Sequence, residues 1–133
     1  MILAKFYCGG DGSLHMQALG HAGAGPRGQD LVCAGVSTLA ETLARAVERL
    51  YHQGMLRRCP RVELYEGNAE IIAQPKARFR KETAMVFWTV QNGIAELASG
   101  FPGNVKLEGF ATPSIANVLP TDTRLGDLSI CAI

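Results

Sequence analysis

The chain has 133 residues, of which 47% are hydrophobic and 19% charged, and its formal net charge is +1 at pH 7. A chain of this length fits one domain with a hydrophobic core of its own, and the composition excludes an intrinsically disordered protein. The nearly balanced charge argues against bulk electrostatic attraction to a nucleic-acid backbone, so we expect no direct nucleic-acid binding.

The sequence shows no sign of a targeting segment or a membrane span. Lys5 interrupts the apolar start, and no small-residue cleavage site follows a long apolar core. No stretch approaches the roughly 18 consecutive apolar residues that a membrane helix requires. The cysteines are Cys8, Cys33, Cys59 and Cys131. Their spacing shows no pairs, which argues against a disulfide framework. We therefore expect a cytoplasmic protein with no membrane association.

Two antiparallel strands are predicted at the beginning of the chain. Apolar and polar residues alternate from Ile2 to Cys8, which indicates a half-buried strand. The segment Gly9 to Ser13 interrupts the pattern with turn-forming residues, and the alternation resumes from Leu14 to His21. This pattern predicts a hairpin, with His21 at the end of its second strand.

A glycine-rich loop and a long helix are predicted next. Residues 23–28 contain three glycines and a proline, too many for regular structure. Asp30 is a suitable N-cap, and Gly54 supplies a stop. Between them, apolar residues recur at helical spacing: Val32, Val36, Leu39, Leu43, Val47 and Leu50.

The remaining pattern predicts two more strands, a helix and a last strand. The strands are Arg61 to Tyr65 and Ala69 to Gln74, the helix spans about residues 82–99, and the last strand runs from Val105 to Phe110. The resulting order, β-β-α-β-β-α-β, indicates an α+β fold with a mostly antiparallel sheet and two helices. We expect one domain over residues 1–110 and a C-terminal extension, loosely ordered or an edge strand, over 111–133.

The segment from Gly20 to Ala34 combines residue types used in acyl transfer. With Asp30 as N-cap, Cys33 falls in the first helical turn, where unpaired N–H groups and the helix dipole favour a thiolate. The same N–H groups are candidates to stabilise an oxyanion. A histidine side chain exchanges protons near neutral pH, so His21 is a candidate general base. The loop between them is a candidate substrate lid formed by Gly20, Ala22, Gly23, Gly25 and Gly28.

Each of these residues also has a purely structural interpretation. Cys33 is a common type of small core residue, and His21 a common type of exposed polar residue. Asp30 either caps the helix, where its charge opposes a thiolate, or orients His21 or a backbone amide. Ser37, one turn after Cys33, either hydrogen-bonds within the site or bonds a helix carbonyl.

Two other kinds of site fit the pattern less well. The loop over residues 23–28 feeds a helix, as a phosphate cradle does, but lacks a GK[ST] ending or a complete dinucleotide fingerprint. A zinc site built from Cys8, His15, His21 and Cys33 would lack the short paired spacings of structural zinc sites. We therefore expect neither a metal nor a cofactor.

Two blocks of the sequence resemble the bacterial ribosomal-processing cysteine proteases. The family has Gly-His-Ala, a flexible loop and Asp-Ile-Val-Cys-Ala opening a helix, and this chain has Gly20-His21-Ala22 and Asp30-Leu31-Val32-Cys33-Ala34. Residues 92–98, 101–102 and 105–107 are similar to the family's second helix and last strand. The resemblance covers residues 1 to about 110. Leu31 replaces the usual isoleucine, and Gly35 replaces a typical alanine.

The resemblance implies a small α+β homodimer that removes the N-terminal extension of a large-subunit ribosomal protein during ribosome maturation. It assigns His21 as base, Cys33 as nucleophile, and Asp30 and Ser37 as supporting residues, and it implies an apolar groove beside the loop. Two alternatives remain at this point. One is a non-catalytic module that binds the same ribosomal tail, and the other is a redox-sensing protein that uses Cys33 without His21.

Overall fold

The computed structural model describes residues 1–26 and 28–109. The elements follow the predicted order, with a short 3-10 turn, Ala77–Phe79, before the second helix. They are β1 (Ile2–Cys8), β2 (Leu14–Leu19), α1 (Leu31–His52), β3 (Arg61–Tyr65), β4 (Asn68–Ala73), α2 (Arg80–Gly100) and β5 (Val105–Glu108). The extension predicted over 111–133 lies outside the described residues.

The five strands form one sheet in the order β3-β4-β2-β1-β5. Hairpins join β1 to β2 and β3 to β4, and β2 pairs antiparallel with β4. Among the strands in the described residues, only β1 and β5 pair in parallel, with Ile2 opposite Val105. The prediction of a mostly antiparallel sheet in an α+β fold is confirmed.

Both helices pack on the same face of the sheet and against each other. Alternate residues of β1 and β2, such as Phe6 and Met16, are fully buried there, because successive side chains of a strand point to opposite faces. The facing stripe of α1 includes Leu43 and Val47, and that of α2 includes Phe87. The opposite face of the sheet is partly exposed. No helix within the described residues is long and apolar enough to cross a membrane.

The second strand ends earlier than the sequence predicts. β2 stops at Leu19, because Gly20 takes a φ of +98°, which favours glycine, and turns the chain out of the sheet. The Gly20 N–H then pairs with the carbonyl oxygen of Gly67 in the β3–β4 turn, 2.9 Å away. His21 therefore lies in the loop after the strand, and its predicted position at the strand end was wrong by two residues.

Candidate functional site

A cleft of about 500 Å³ lies between the loop after β2, the first turns of α1 and the β3–β4 turn. Its floor contains small apolar side chains of the sheet and of α1, including Ala18, Val36 and Ala40. Most of the predicted site residues line this cleft: Gly20, His21, Gly23, Gly25, Gly28, Asp30, Cys33 and Ser37. The fold thus brings the candidate base and the candidate nucleophile to one cavity.

Cys33 is the third residue of α1, and its side chain is half-buried. The backbone N–H of Ala22 donates a hydrogen bond to its Sγ across 3.2 Å. Ala22 itself does not line the cleft, because it is only 2% exposed and its methyl group packs in the core. The backbone amide of Ala22 thus faces the thiol, and its membership of the substrate loop stays a prediction.

Asp30 caps α1, as the sequence predicts. Its carboxylate accepts hydrogen bonds from the backbone N–H of Cys33 at 2.9 Å and of Ala24 at 3.0 Å, and it also hydrogen-bonds the Cys33 side chain. The Cys33 N–H is the main cause that lowers the pKa of Asp30 below its ordinary value. The carboxylate therefore ties the loop to the start of the helix.

The Asp30 cap changes the expectation for an oxyanion site. The N–H of Cys33 was expected to be free at the helix start, but it donates to Asp30 Oδ1, and the N–H of Ala34 donates to the Asp30 carbonyl. An N–H that is already paired does not stabilise a new anion without first losing its partner. The Cys33 amide is therefore not available in this arrangement.

His21 is exposed to the cleft and lies against the β3–β4 turn. A Cβ atom built on Gly67 would lie only 2.8 Å from His21 Nε2, so the imidazole occupies the space that a side chain at position 67 would need. Gly67 has a φ of +74°, a second reason for glycine there. The β3–β4 turn thus packs directly against the imidazole ring of His21.

Asn104 makes a contact beside the cleft that the sequence did not reveal. It lies just before β5, and its Nδ2 donates a 2.8 Å hydrogen bond to the carbonyl oxygen of Ala22. The two residues are 82 positions apart in the chain. No local pattern links them, so only the parallel docking of β5 beside β1 reveals the contact.

Ser37 lines the cleft one turn after Cys33 and is exposed. Its position fits the predicted supporting role, since residues four apart lie on the same face of a helix. Neighbouring hydroxyl groups on α1 behave differently: Thr38 and Thr42 donate to the carbonyl oxygens of Ala34 and Thr38, respectively. Ser37 remains a predicted rather than an assigned site residue.

A comparison with protein families supplies the deciding observation. Residues 1–106 match the family described as cysteine protease Prp. The chain belongs to the Prp cysteine protease family. A comparison with curated proteins gave no match.

Solved structures that resemble the chain include Prp of S. aureus and a protein of Streptococcus mutans. The essential ribosomal processing protease Prp of S. aureus, with a covalently linked product peptide, is 18% identical, with a TM-score of 0.56 over 82% of this chain and 99% of that chain. The same protease with a substrate peptide is 17% identical, with a TM-score of 0.53 and the same coverages. SMU.848 of Streptococcus mutans is 28% identical, with a TM-score of 0.59 over 83% of this chain and 94% of that chain. These similarities support the Prp fold.

The alternative zinc site does not form in this Prp family member. Cys8 pairs with Leu14 at one end of the β1–β2 hairpin, whereas Leu19, near His21, lies at the other end. His15 instead contacts the Ser13 hydroxyl, with 2.8 Å between Nε2 and Oγ. Within the described part of the chain, no group of three or more metal-ligating side chains comes together.

Proposed function

We propose that the chain is a Prp-type cysteine endopeptidase that removes the N-terminal extension of a bacterial large-subunit ribosomal protein. The observation that carries this proposal is the shared cleft of His21 and Cys33, in a chain whose residues 1–106 match the Prp family. The ribosomal processing protease of S. aureus, solved with a substrate peptide and with a covalently linked product peptide, supports a peptide as the ligand.

In the proposed reaction Cys33 is the nucleophile and His21 the general base. The imidazole takes the proton of the Cys33 thiol, and the sulfur attacks the carbonyl carbon of the scissile peptide bond. The C–N bond then breaks as the imidazolium returns the proton to the leaving amine. Water, deprotonated by the same imidazole, hydrolyses the thioester and restores the thiol.

The surroundings of Cys33 support this assignment over a purely structural role. The sulfur lies at the start of a 22-residue helix, opens to the cleft and accepts an N–H from Ala22. A cysteine attacks as its thiolate, and His21, which lines the same cleft, is the group proposed to take the proton. Gly23, Gly25 and Gly28 line the same cleft and are proposed to admit the substrate backbone.

The second candidate function is a non-catalytic module that binds the same ribosomal tail. One observation favours it: the Cys33 side chain also packs against the hydrophobic core, as a structural cysteine does. In that case the cleft binds a peptide and Cys33 is dispensable for binding.

The test is cleavage of a synthetic peptide that spans the ribosomal extension and the first residues of the mature protein. We expect the wild type to cleave it at one position, as mass spectrometry detects, and Cys33→Ala and His21→Ala to bind it without cleavage. Cys59→Ala is the matched control, because Cys59 is exposed. Unchanged cleavage by Cys33→Ala contradicts the proposal, and binding without cleavage by the wild type favours the module.

Cellular location and assembly belong to the same proposal. We propose a cytoplasmic location because the proposed substrate is a ribosomal protein. The homodimer is proposed from the resemblance to the ribosomal-processing proteases alone. Light scattering coupled to size-exclusion chromatography measures the mass directly, to be compared with 14.2 kDa for one chain. A monomer at micromolar concentration contradicts the dimer.

A further inference from the structure

Several backbone N–H groups at the start of α1 and in the preceding loop already have oxygen acceptors. Asp30 accepts from the amides of Ala24, Cys33 and Ala34, through its carboxylate for the first two and its carbonyl for the last. The Gly20 amide donates to Gly67. The amide of Ala22 is different, since it points at the sulfur from 3.2 Å.

An N–H in this position meets the charge that develops during attack on a carbonyl. When Cys33 Sγ bonds the carbonyl carbon, the π-electron pair moves to the carbonyl oxygen, which lies next to the sulfur. The Ala22 N–H then exchanges a weak sulfur acceptor for an anionic oxygen, so it binds the transition state more strongly than the resting thiol. This difference is what accelerates a reaction.

Ala22 is also held rigidly, as such a donor requires. Its side chain is buried in the core, and its carbonyl oxygen accepts the 2.8 Å hydrogen bond from Asn104 Nδ2. Asn104 is fixed in turn, because its N–H donates to Phe101 and its carbonyl oxygen accepts from Ile2. Preorganised donors are effective because they need no rearrangement at the moment of reaction.

We infer that the backbone N–H of Ala22 is an oxyanion-hole donor and that Asn104 is the positioning residue that holds it. The inference rests on the proposed function, because it assigns groups to the same acyl transfer. Ala22 would contact the reacting oxygen through its backbone, and Asn104 would act through Ala22.

The direct test replaces the Ala22 N–H by an ester oxygen and keeps the methyl side chain. A synthetic segment of residues 1–32 with L-lactic acid in place of Ala22 is ligated to residues 33–133 at Cys33, beside an all-amide product made in the same way. We expect the ester to lower kcat for peptide cleavage about 100-fold, the typical effect of losing one oxyanion donor. Alkylation of Cys33 by iodoacetamide forms no oxyanion, so we expect it to change far less.

The two readouts separate the possible results. A large fall in cleavage with a small change in alkylation supports the assignment. Equal falls in cleavage and alkylation would show that the Ala22 amide acts only on the sulfur. An unchanged cleavage rate would show that the amide has no role in the reaction. Either result overturns the inference. If the proposed function itself is wrong, the all-amide protein does not cleave the peptide either.

Asn104 is tested by Asn104→Asp, which has nearly the same shape but presents a carboxylate that does not donate. We expect kcat to fall about 10-fold with KM changed less than about twofold, since the donor would lose its position and the substrate groove would remain. Gly103→Ala is the matched control, because a Cβ at the neighbouring position meets no atom within 4 Å. A KM effect without a kcat effect, or an equal loss in Gly103→Ala, would overturn the role of Asn104.

Discussion

Gly20 donates its backbone N–H to the carbonyl oxygen of Gly67 across 2.9 Å, and this bond ties the end of β2 to the β3–β4 turn. The imidazole of the next residue, His21, lies over the same glycine. A turn far along the chain therefore sets both the path of the loop and the place of the proposed base. The geometry of the cleft depends on this contact as much as on the helix that carries Cys33.

Gly67→Ala should disturb the site through the imidazole. The new Cβ would lie 2.8 Å from His21 Nε2, and the positive φ of +74° would add strain of about 1–2 kcal/mol. We expect a matching loss of stability in chemical denaturation and a fall of about 100-fold in kcat/KM, since small displacements of catalytic groups have effects of that size. Gly54→Ala is the control, with φ +76° and only Lys76 Nζ nearby, at 3.9 Å. Equal activity of the two variants would contradict the proposal that Gly67 helps to position His21.

The cysteines should differ in their rates of alkylation by iodoacetamide at pH 7. We expect Cys33 to react fastest, because it opens to the cleft that also holds His21, the proposed acceptor of its proton. Cys8 should react slowest, since burial raises the pKa of its thiol and leaves less thiolate at neutral pH. Cys59, which is exposed, should fall between them. Mass spectrometry of the digested protein measures each site, with Cys131 followed in the same digest, and equal rates would count against activation of Cys33.

Asp30→Asn and Asp30→Ala should separate capping from charge. The pKa of Asp30 is lowered in the folded protein, so its ionised form stabilises the fold above the unfolded pKa, and this stabilisation is lost as pH falls through the folded value. We therefore expect both variants to have a lower Tm than the wild type at pH 7, with the difference shrinking below about pH 4. Asn still caps a helix, so Asp30→Ala should lose more stability and more cleavage.

Asp11→Asn provides the matched control for Asp30. The pKa of Asp11 is also lowered, chiefly by a hydrogen bond from the Ser13 side chain, but Asp11 lies in the β1–β2 turn, at the opposite end of the hairpin from His21. We expect a lower Tm at pH 7 with cleavage unchanged. If Asp11→Asn loses as much cleavage as Asp30→Asn, the lower stability alone would account for the loss of cleavage in both variants.

Two glycines at the α1–α2 contact should respond differently to alanine. A Cβ at Gly35 would lie 3.1 Å from Leu97 Cδ1, and the half-buried leucine can move aside, so we expect a gain in helix stability of up to about 1 kcal/mol. A Cβ at Gly93 would approach Leu39 Cδ2 to 2.7 Å, so we expect a loss of about 1–3 kcal/mol. Urea denaturation measures both, and a destabilised Gly35→Ala would show that the helices cannot yield there.

The sequence was sufficient for the elements whose patterns are local. Alternation predicted β1 from Ile2 to Cys8 with its observed bounds, and helical spacing after Asp30 predicted α1. The end of β2 was wrong, because the bond from Gly20 to Gly67 joins segments that no local pattern connects. The parallel docking of β5 depends on the packing of α2 and was likewise not predicted.

The residues of the candidate site also divide into those with a local sequence signal and those placed only by tertiary packing. Cys33 and Asp30 are three residues apart at one helix start, so a local residue pattern was enough to predict that Asp30 caps the helix that carries Cys33. Asn104 and Gly67 reach the site from distant parts of the chain, and nothing in their own neighbourhoods indicates a role. Ala22 was predicted as part of the substrate loop, but the burial of its side chain depends on tertiary packing.

The pairing of Ile2 with Val105 joins positions about a hundred residues apart, a long-range closure of the kind that slows folding. Asn104 immediately precedes this strand, so the hydrogen bond that holds Ala22 forms only when the closure is complete. On the inference drawn above, a partly folded or newly synthesised chain lacks a preorganised oxyanion donor. Proteolytic competence would then depend on joining the two ends of the described domain, not on the Cys33 helix alone.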